Sequence, residues 1–335
     1  MVVRLTYYKS AINTSKLSFM FRKLCGLGFF RHAGFRRCIF IHLDFFKCVQ
    51  TTAGACIAFA LTCDSAAADF LVTVDPINGI NSIGCGLTAP CKTISFAILQ
   101  NNMSVSSVAL TAGHFNESSV IISSFASLSI SGVPSATFFD CSRMLASGAA
   151  FEIVNSTVAF TDITFVNCSN VNSNGGAVSA RSSSLNITRC SFINCSAASG
   201  GAISVAGHGN AFLNVQNSSF FRNFANGGLS GCPSTSTEPC STWGGAIAAF
   251  EVFDVSISGC TMVANSARAY VPRVSLQQNA SRNALAGGGC ISVLFVGNAS
   301  GSSARFINNQ FKQCTVKVSS SENVDLGNGE ITHCV

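Results

Sequence analysis

Acid–base chemistry on a large substrate needs carboxylates held near one another, one to give a proton and one to take it or to hold a cation. From residue 140 onward the chain offers Asp140, Glu152, Asp162, Glu238, Glu251, Asp254, Glu322, Asp325 and Glu330, and no two of these are adjacent. Serine is abundant, but no Gly-x-Ser-x-Gly elbow stands beside a plausible histidine and acid. The five histidines form no cluster that could ligate a metal, and there is no phosphate-binding glycine loop. No catalytic residue, metal ligand or cofactor is assigned from these patterns.

Cysteine is patterned. Of the seventeen cysteines, twelve follow residue 68: Cys85, Cys91, Cys141, Cys168, Cys190, Cys195, Cys232, Cys240, Cys260, Cys290, Cys314 and Cys334. An even number in a chain poor in histidine points to disulfides and an oxidising compartment. Cys85 with Cys91 and Cys232 with Cys240 are close enough to bridge within single loops. No Cys-x-x-Cys occurs, which removes zinc-ribbon and thioredoxin readings. Other cysteines fall at inward repeat positions, where a thiol serves as a small apolar filler.

Asn-x-Ser/Thr triplets give glycosylation candidates at Asn102, Asn116, Asn155, Asn186, Asn217, Asn279 and Asn298. The triplets at Asn167 and Asn194 lie within repeat cores and are set aside.

The formal charge of +6 belongs to the leader. Residues 1–68 carry nine Lys/Arg against Asp44 and Asp64, whereas residues 69–335 carry eleven Lys/Arg and twelve Asp/Glu. The main body therefore has no basic footprint for nucleic acid, which is excluded as a partner. Residues 1–50 are basic, Phe-rich and unpatterned, and are read as sequence ahead of a later start, Met20 being one candidate. Residues 51–68 resemble a secretory signal: the apolar run Ala53–Leu61 follows Lys47 and leads to Ala66-Ala67-Ala68, with cleavage expected after Ala68. That run is too short to span a bilayer, so no transmembrane helix is expected in the mature part.

The elements that must position all of this are repeats. FTDITFVNCSN from Phe160 is followed by NGGAVSA from Asn174, and NITRCSFINCSA from Asn186 by SGGAISV from Ser199. NVQNSSFFRNFA from Asn214 meets its GGAIAAF at Gly244, and VSISGCTMVANSA from Val255 meets its GGGCISV at Gly287. A fifth unit begins at Arg305. Phe165, Phe192, Phe220, Met262 and Phe311 align, and three residues after each stands Cys168, Cys195, Asn223, Asn265 or Cys314. The first two steps are 27 and 28 residues, and insertions over Leu229–Trp243 and Arg268–Ala286 lengthen the others. A period of this size, with side chains alternating along each strand, predicts a single-stranded right-handed parallel β-helix. Stacked Phe forms a core column, Asn a buried amide ladder, and Gly-Gly a turn of unusual φ.

The pairing of Gly-Gly-Ala-Ile with Phe-x-x-Asn resembles the repeat of chlamydial polymorphic outer-membrane proteins and of related β-helix proteins in protists and algae. Gly175–Val178, Gly200–Ile203, Gly244–Ile247, Gly288–Ile291, Phe192–Cys195 and Phe220–Asn223 carry the likeness over about residues 140–335, although only the Phe220 unit keeps both Phe and Asn. Residues 69–100 look like the lead-in of many β-helices: a strand, a Cys-closed loop and, from about Thr93, an amphipathic helix that caps the solenoid. Repeats then occupy residues 101–335, and the last coil is expected to be incomplete at Val335.

The β-helix also serves pectin and pectate lyases and polygalacturonases, so the fold does not choose a function. Gly207-His208-Gly209 looks like the Gly-His-Gly of polygalacturonases, but no Asp-Asp precedes it and no Arg-Ile-Lys follows. His208 is read as a turn residue. The chlamydial relatives are adhesins, so the resemblance implies adhesion to a glycan or protein surface partner. It does not carry over their C-terminal membrane barrel, which has no counterpart here. The resulting expectation is a noncatalytic, secreted or surface-exposed adhesin-like or structural β-helix, whose two insertions are candidate contact loops. An extracellular polysaccharide lyase or hydrolase is the alternative. The sequence fixes no oligomeric state.

Overall fold

The computed structural model describes residues 49–50, 56–57, 71–86, 89–100, 105–117, 119–143, 148–170, 173–207, 211–227, 242–271, 286–294, 303–320 and 325–329. The chain divides between Ala68 and Asp69 into two units. In the first, Val49–Gln50 and Cys56–Ile57 pair antiparallel. Cleavage after Ala68, the loop of Cys232 and Cys240, His208, and the triplets at Asn102, Asn279 and Asn298 lie outside the described residues.

The second unit is a parallel β-helix. One coil runs through Thr157–Thr161, Thr164–Val166, Ser169–Asn170 and Val178–Arg181, and the next begins at Ser184–Thr188. Each strand pairs in parallel with its equivalent one coil away. Stacking builds four sheets of eight, seven, six and six strands, here called the first to the fourth in the order the chain meets them. The third ends in an antiparallel strand, Asp325–Gly329. Part of the second insertion is strand: Ser266–Val271 lengthens the third sheet and pairs with Thr315–Ser320. Tyr270 thus belongs to a strand, not to a loop.

The corners explain the composition. Asp162, Arg189, Asn217 and Asn308 turn the chain from the first sheet to the second with φ between 48° and 58°. Asn167, Asn194, Arg222, Ala264 and Gln313 do the same from second to third, with φ between 53° and 56°. Asn adopts this left-handed region more readily than other residues with a Cβ, so a fold that turns on single residues selects it. The corner before the fourth sheet uses the Gly pairs. Gly200 has φ 61°, and a Cβ on Gly201 would lie 2.2 Å from the Gly245 carbonyl oxygen in the next coil. The first glycine of the pair is needed for its dihedral and for space, since a Cβ on Gly200 would lie 2.2 Å from the Ile203 carbonyl oxygen; the second is needed for close stacking of backbones.

Inside, the aromatic column is longer than the repeats suggest. Phe115, Phe139, Phe165, Phe192, Phe220, Met262 and Phe311 are in register, so two coils precede the first one legible in sequence. Phe165, Phe192 and Phe220 stack with centroids 4.9 Å apart and planes 6° apart. All but Phe311, which is partly exposed, are buried.

Beside this column the amides form a ladder. Asn223 donates from Nδ2 to the Phe192 carbonyl at 3.1 Å and to Asn265 Oδ1 at 2.9 Å, and Asn265 Nδ2 donates to the Phe220 carbonyl at 3.0 Å. Asn223 Oδ1 accepts the Cys195 amide at 2.9 Å. Polar atoms wholly removed from water are in this way satisfied.

Two cysteines of this column are not the free fillers expected. Cys168 is joined to Cys141, 27 residues earlier, and Cys314 to Cys290. Stacking at strand spacing brings equivalent Cα atoms to about 4.8 Å, within disulfide reach; Cys141 and Cys168 lie at 4.6 Å. Cys195 does remain a free buried thiol, as do Cys190 and Cys260. Cys85 and Cys91 are bonded, closing the loop ahead of the helix.

That helix, α1, spans Ile94–Gln100 and buries Ile94, Ala97 and Ile98 against the first coils. Thr93 Oγ1 accepts the Phe96 amide at 3.3 Å, and Glu117 accepts the amides of Ile94 at 2.5 Å and Ser95 at 2.9 Å. These bonds satisfy donors that the first turn leaves without helical partners.

Candidate functional site

The described carboxylates are dispersed and mostly occupied by local structure. Asp75 accepts the amides of Ile77 and Asn78, and these bonds hold its carboxyl below the usual range. Burial pushes the Glu117 carboxyl up, only partly opposed by the amides and hydroxyl it accepts. Asp140 caps the short helical turn at Ser142. Asp162 forms a two-bonded pair with Arg189 of the next coil at 2.8 and 2.7 Å, which raises the arginine's pKa. Asp254 accepts from the Ser303 hydroxyl and lies 3.6 Å from Arg305. Among the described residues no three His, Cys, Asp or Glu side chains gather where an ion could sit.

A different arrangement stands on the outer face of the fourth sheet. Strand alternation turns Arg181, Ala206, Phe250 and Leu294 outward, and parallel register places them in one line across four coils. Ala206 is the short member. The fall in side-chain length between Arg181 and Phe250 leaves a notch of about 340 Å³, floored by Ala206 and Gly207 and bordered by Ser182, Glu251 and Leu294. Trp243 meets Phe250 edge-on at 6.4 Å. Ser182 and Glu251 are the left-handed corner residues at φ 49° and 52°, which aim both side chains away from the core. Arg181 and Glu251 are exposed, and Leu294 is 51% exposed.

The notch thus presents a guanidinium fork, an aromatic ring, a carboxylate and a hydroxyl around a small floor. The fork can take a carboxylate or sulfate bidentately, while the ring offers an apolar face to C–H groups. Nothing in the sequence marked these residues, because Arg181 and Phe250 become neighbours only through coil stacking.

No protein-family model matches the chain, and no curated protein matches it. Among solved structures, the chain is similar to a rhamnogalacturonan lyase at 11% identity and a TM-score of 0.38, over 75% of this chain and 66% of that one. It spans just under two thirds of that protein's length. The likeness to the polymorphic-membrane-protein repeat accordingly stands on its motif residues alone.

The glycosylation candidates Asn116, Asn155, Asn186 and Asn217 are exposed. Asn186 lies within a strand of the first sheet and accepts from Asn214 Nδ2 at 3.3 Å. The two triplets set aside as core are a correction. Asn167 and Asn194 are exposed corner residues; the residues that follow them, Cys168 and Cys195, are the buried ones. The left-handed corner rotates the Asn side chain outward, which the strand alternation of the repeat does not reveal. Among the described residues no helix is long and apolar enough to cross a membrane.

Proposed function

We propose that the chain is a secreted or surface-exposed, noncatalytic β-helix that binds a glycan in the fourth-sheet notch. The observation that carries this reading is the in-register line Arg181, Ala206, Phe250, which sets a cation and an aromatic ring on either side of a small-residue floor. Sugars present alternating hydroxyls and C–H faces, and acidic ones add a carboxylate. An arginine fork and a ring answer those groups. The notch is shallow, so the match is to one or two residues of a polymer, bound weakly and strengthened by many contacts along a chain. Its motif-level resemblance to adhesin repeats points the same way, and three disulfides among the described residues suit an oxidising, extracellular setting. The described carboxylates, dispersed and mostly engaged locally, favour binding over catalysis.

The test uses residues 69–335 from a secretory host and a panel of neutral and acidic plant, algal and animal polysaccharides. Retention on acidic glycans without release of shortened or unsaturated products supports the reading. Arg181→Ala and Phe250→Ala should each weaken that retention several-fold. Product release that disappears on removing an acidic residue would replace this reading with a lyase or hydrolase. Unchanged retention in both variants would move the binding face elsewhere.

A further inference from the structure

We infer that Asn194 is an N-glycosylation site, and that its glycan covers an apolar stripe on the outer face of the second sheet; the inference rests on the secreted reading above. Asn194 turns its corner at φ 54° with its side chain exposed. The triplet is completed by Ser196, whose hydroxyl also lies outside the coil, donating to Ser169 Oγ at 3.0 Å. Cys195 between them points into the core. The acceptor amide and the triplet hydroxyl therefore face solvent together, and the folded coil has room for what is attached.

Three neighbouring triplets differ. Asn167 precedes Cys168, whose disulfide to Cys141 locks that corner once formed; the corner at Asn194 is free of any such link because Cys195 is a thiol. Asn186 is extended within a strand that is paired with a neighbouring coil on each side. Asn155 shares the exposed left-handed corner, but the residue before it, Val154, is in register with the charged Arg181, which interrupts the apolar line there.

The stripe is the second observation. Val166, Ile193, Phe221 and Val263 are in register on the outward side of the second sheet, each immediately before a corner residue. Phe221 is 37% exposed, and the Arg222 guanidinium lies 4.8 Å from its ring centroid. Asn194 Nδ2 donates to Asn167 Oδ1 at 3.4 Å, a bond that the one N–H left after glycosylation can keep, and its corner directly follows Ile193 of the stripe. A sugar on Asn194 can lay its C–H face over Ile193 and Phe221, the same chemistry by which rings bind saccharides. In the step itself the Asn194 amide nitrogen bonds the anomeric carbon of a lipid-diphosphate-linked oligosaccharide. The lipid diphosphate departs with the bonding pair, and the nitrogen gives up one proton.

The experiment expresses the full chain in a eukaryotic secretory host and measures occupancy at each triplet, using amidase release in isotopically heavy water to tag formerly glycosylated Asn as Asp. Asn194 should be occupied in most secreted molecules, and Ser196→Ala should abolish that tag while leaving Asn155 and Asn217 unchanged. An empty Asn194 beside occupied Asn155 or Asn217 overturns this inference alone. No occupied triplet at all overturns the secreted reading together with it. For the stripe, enzymatic glycan removal under native conditions should raise binding of an apolar dye several-fold, and Phe221→Ser should suppress the rise. Dye binding that does not change on deglycosylation overturns the covering role.

Discussion

Asn223 and Asn265, 42 residues apart and both wholly buried, are joined side chain to side chain at 2.9 Å, and the Asn223 backbone amide donates to the same Asn265 oxygen at 2.9 Å. One oxygen therefore serves two donors of the neighbouring coil, and its own amide nitrogen reaches the Phe220 carbonyl. The ladder is a chain of dependencies between coils, not a set of local turns.

Removing one rung should strand its neighbours. Asn265→Ala leaves the Asn223 backbone amide without its acceptor in a dry interior, and each such loss costs about 1–3 kcal/mol. The urea midpoint should fall accordingly. Asn265→Cys should fall less than Asn265→Leu, because equivalent positions in other coils already hold cysteine.

Two glycines from different parts of the chain should fail for different reasons. Gly201→Ala puts a Cβ against the Gly245 carbonyl oxygen and cannot be relieved by moving a side chain. Soluble, folded protein should be lost. Gly84 has positive φ, at 88°, but nothing lies within 4 Å of a Cβ there. Gly84→Ala should leave a folded protein weakened by about 1–2 kcal/mol, the left-handed penalty alone. Soluble yield and thermal melts read both.

Buried thiols should be silent in the native state. Burial pushes Cys190 and Cys195 up to about 12 and raises Cys260 as well. At pH 8 the nucleophilic thiolate is almost absent, and the thiols are shielded from reagent. Peptide mapping after iodoacetamide treatment should find these three modified only after unfolding. Cys85, Cys91, Cys141, Cys168, Cys290 and Cys314 should require reduction too.

Glu117 gives a pH signature. Its folded pKa lies above its ordinary value of 4.5, with burial the leading cause. The protonated form is thus favoured by folding. The stability linked to this group is fully present below its unfolded pKa and is lost as pH rises through the raised folded value. Thermal melts should show wild type losing ground to Glu117→Gln between mildly acid and neutral pH. A difference that widens in favour of wild type over that range would contradict the sign.

Much of the architecture is legible in the sequence because a β-helix writes its period into the chain. Phe165, Phe192 and Phe220 announce the coil length, and Gly-Gly-Ala-Ile announces a corner where backbones stack. The helix α1 is legible as well, since Thr93 and the apolar residues after it carry a local cap and a local face. Phe115 and Phe139 escaped because no Gly-Gly corner accompanies them, although each is in register with the column below.

What the sequence by itself determined is therefore what depends on neighbours along the chain: the parallel β-helix, its period, its capped beginning and the inward set of side chains. Tertiary structure alone decided what depends on register between coils. Cys168 pairs with Cys141 because one coil of chain returns it to strand spacing, while the stacked Cys195 stays reduced. Asn167 and Asn194 face solvent because a left-handed corner overrides the alternation of the strand before it. Arg181 and Phe250 flank Ala206 because parallel pairing keeps their strands in register although the sequence spacing between coils changes. Local periodicity fixes which side of the wall a residue occupies; only the stacking of coils fixes which residues meet across it.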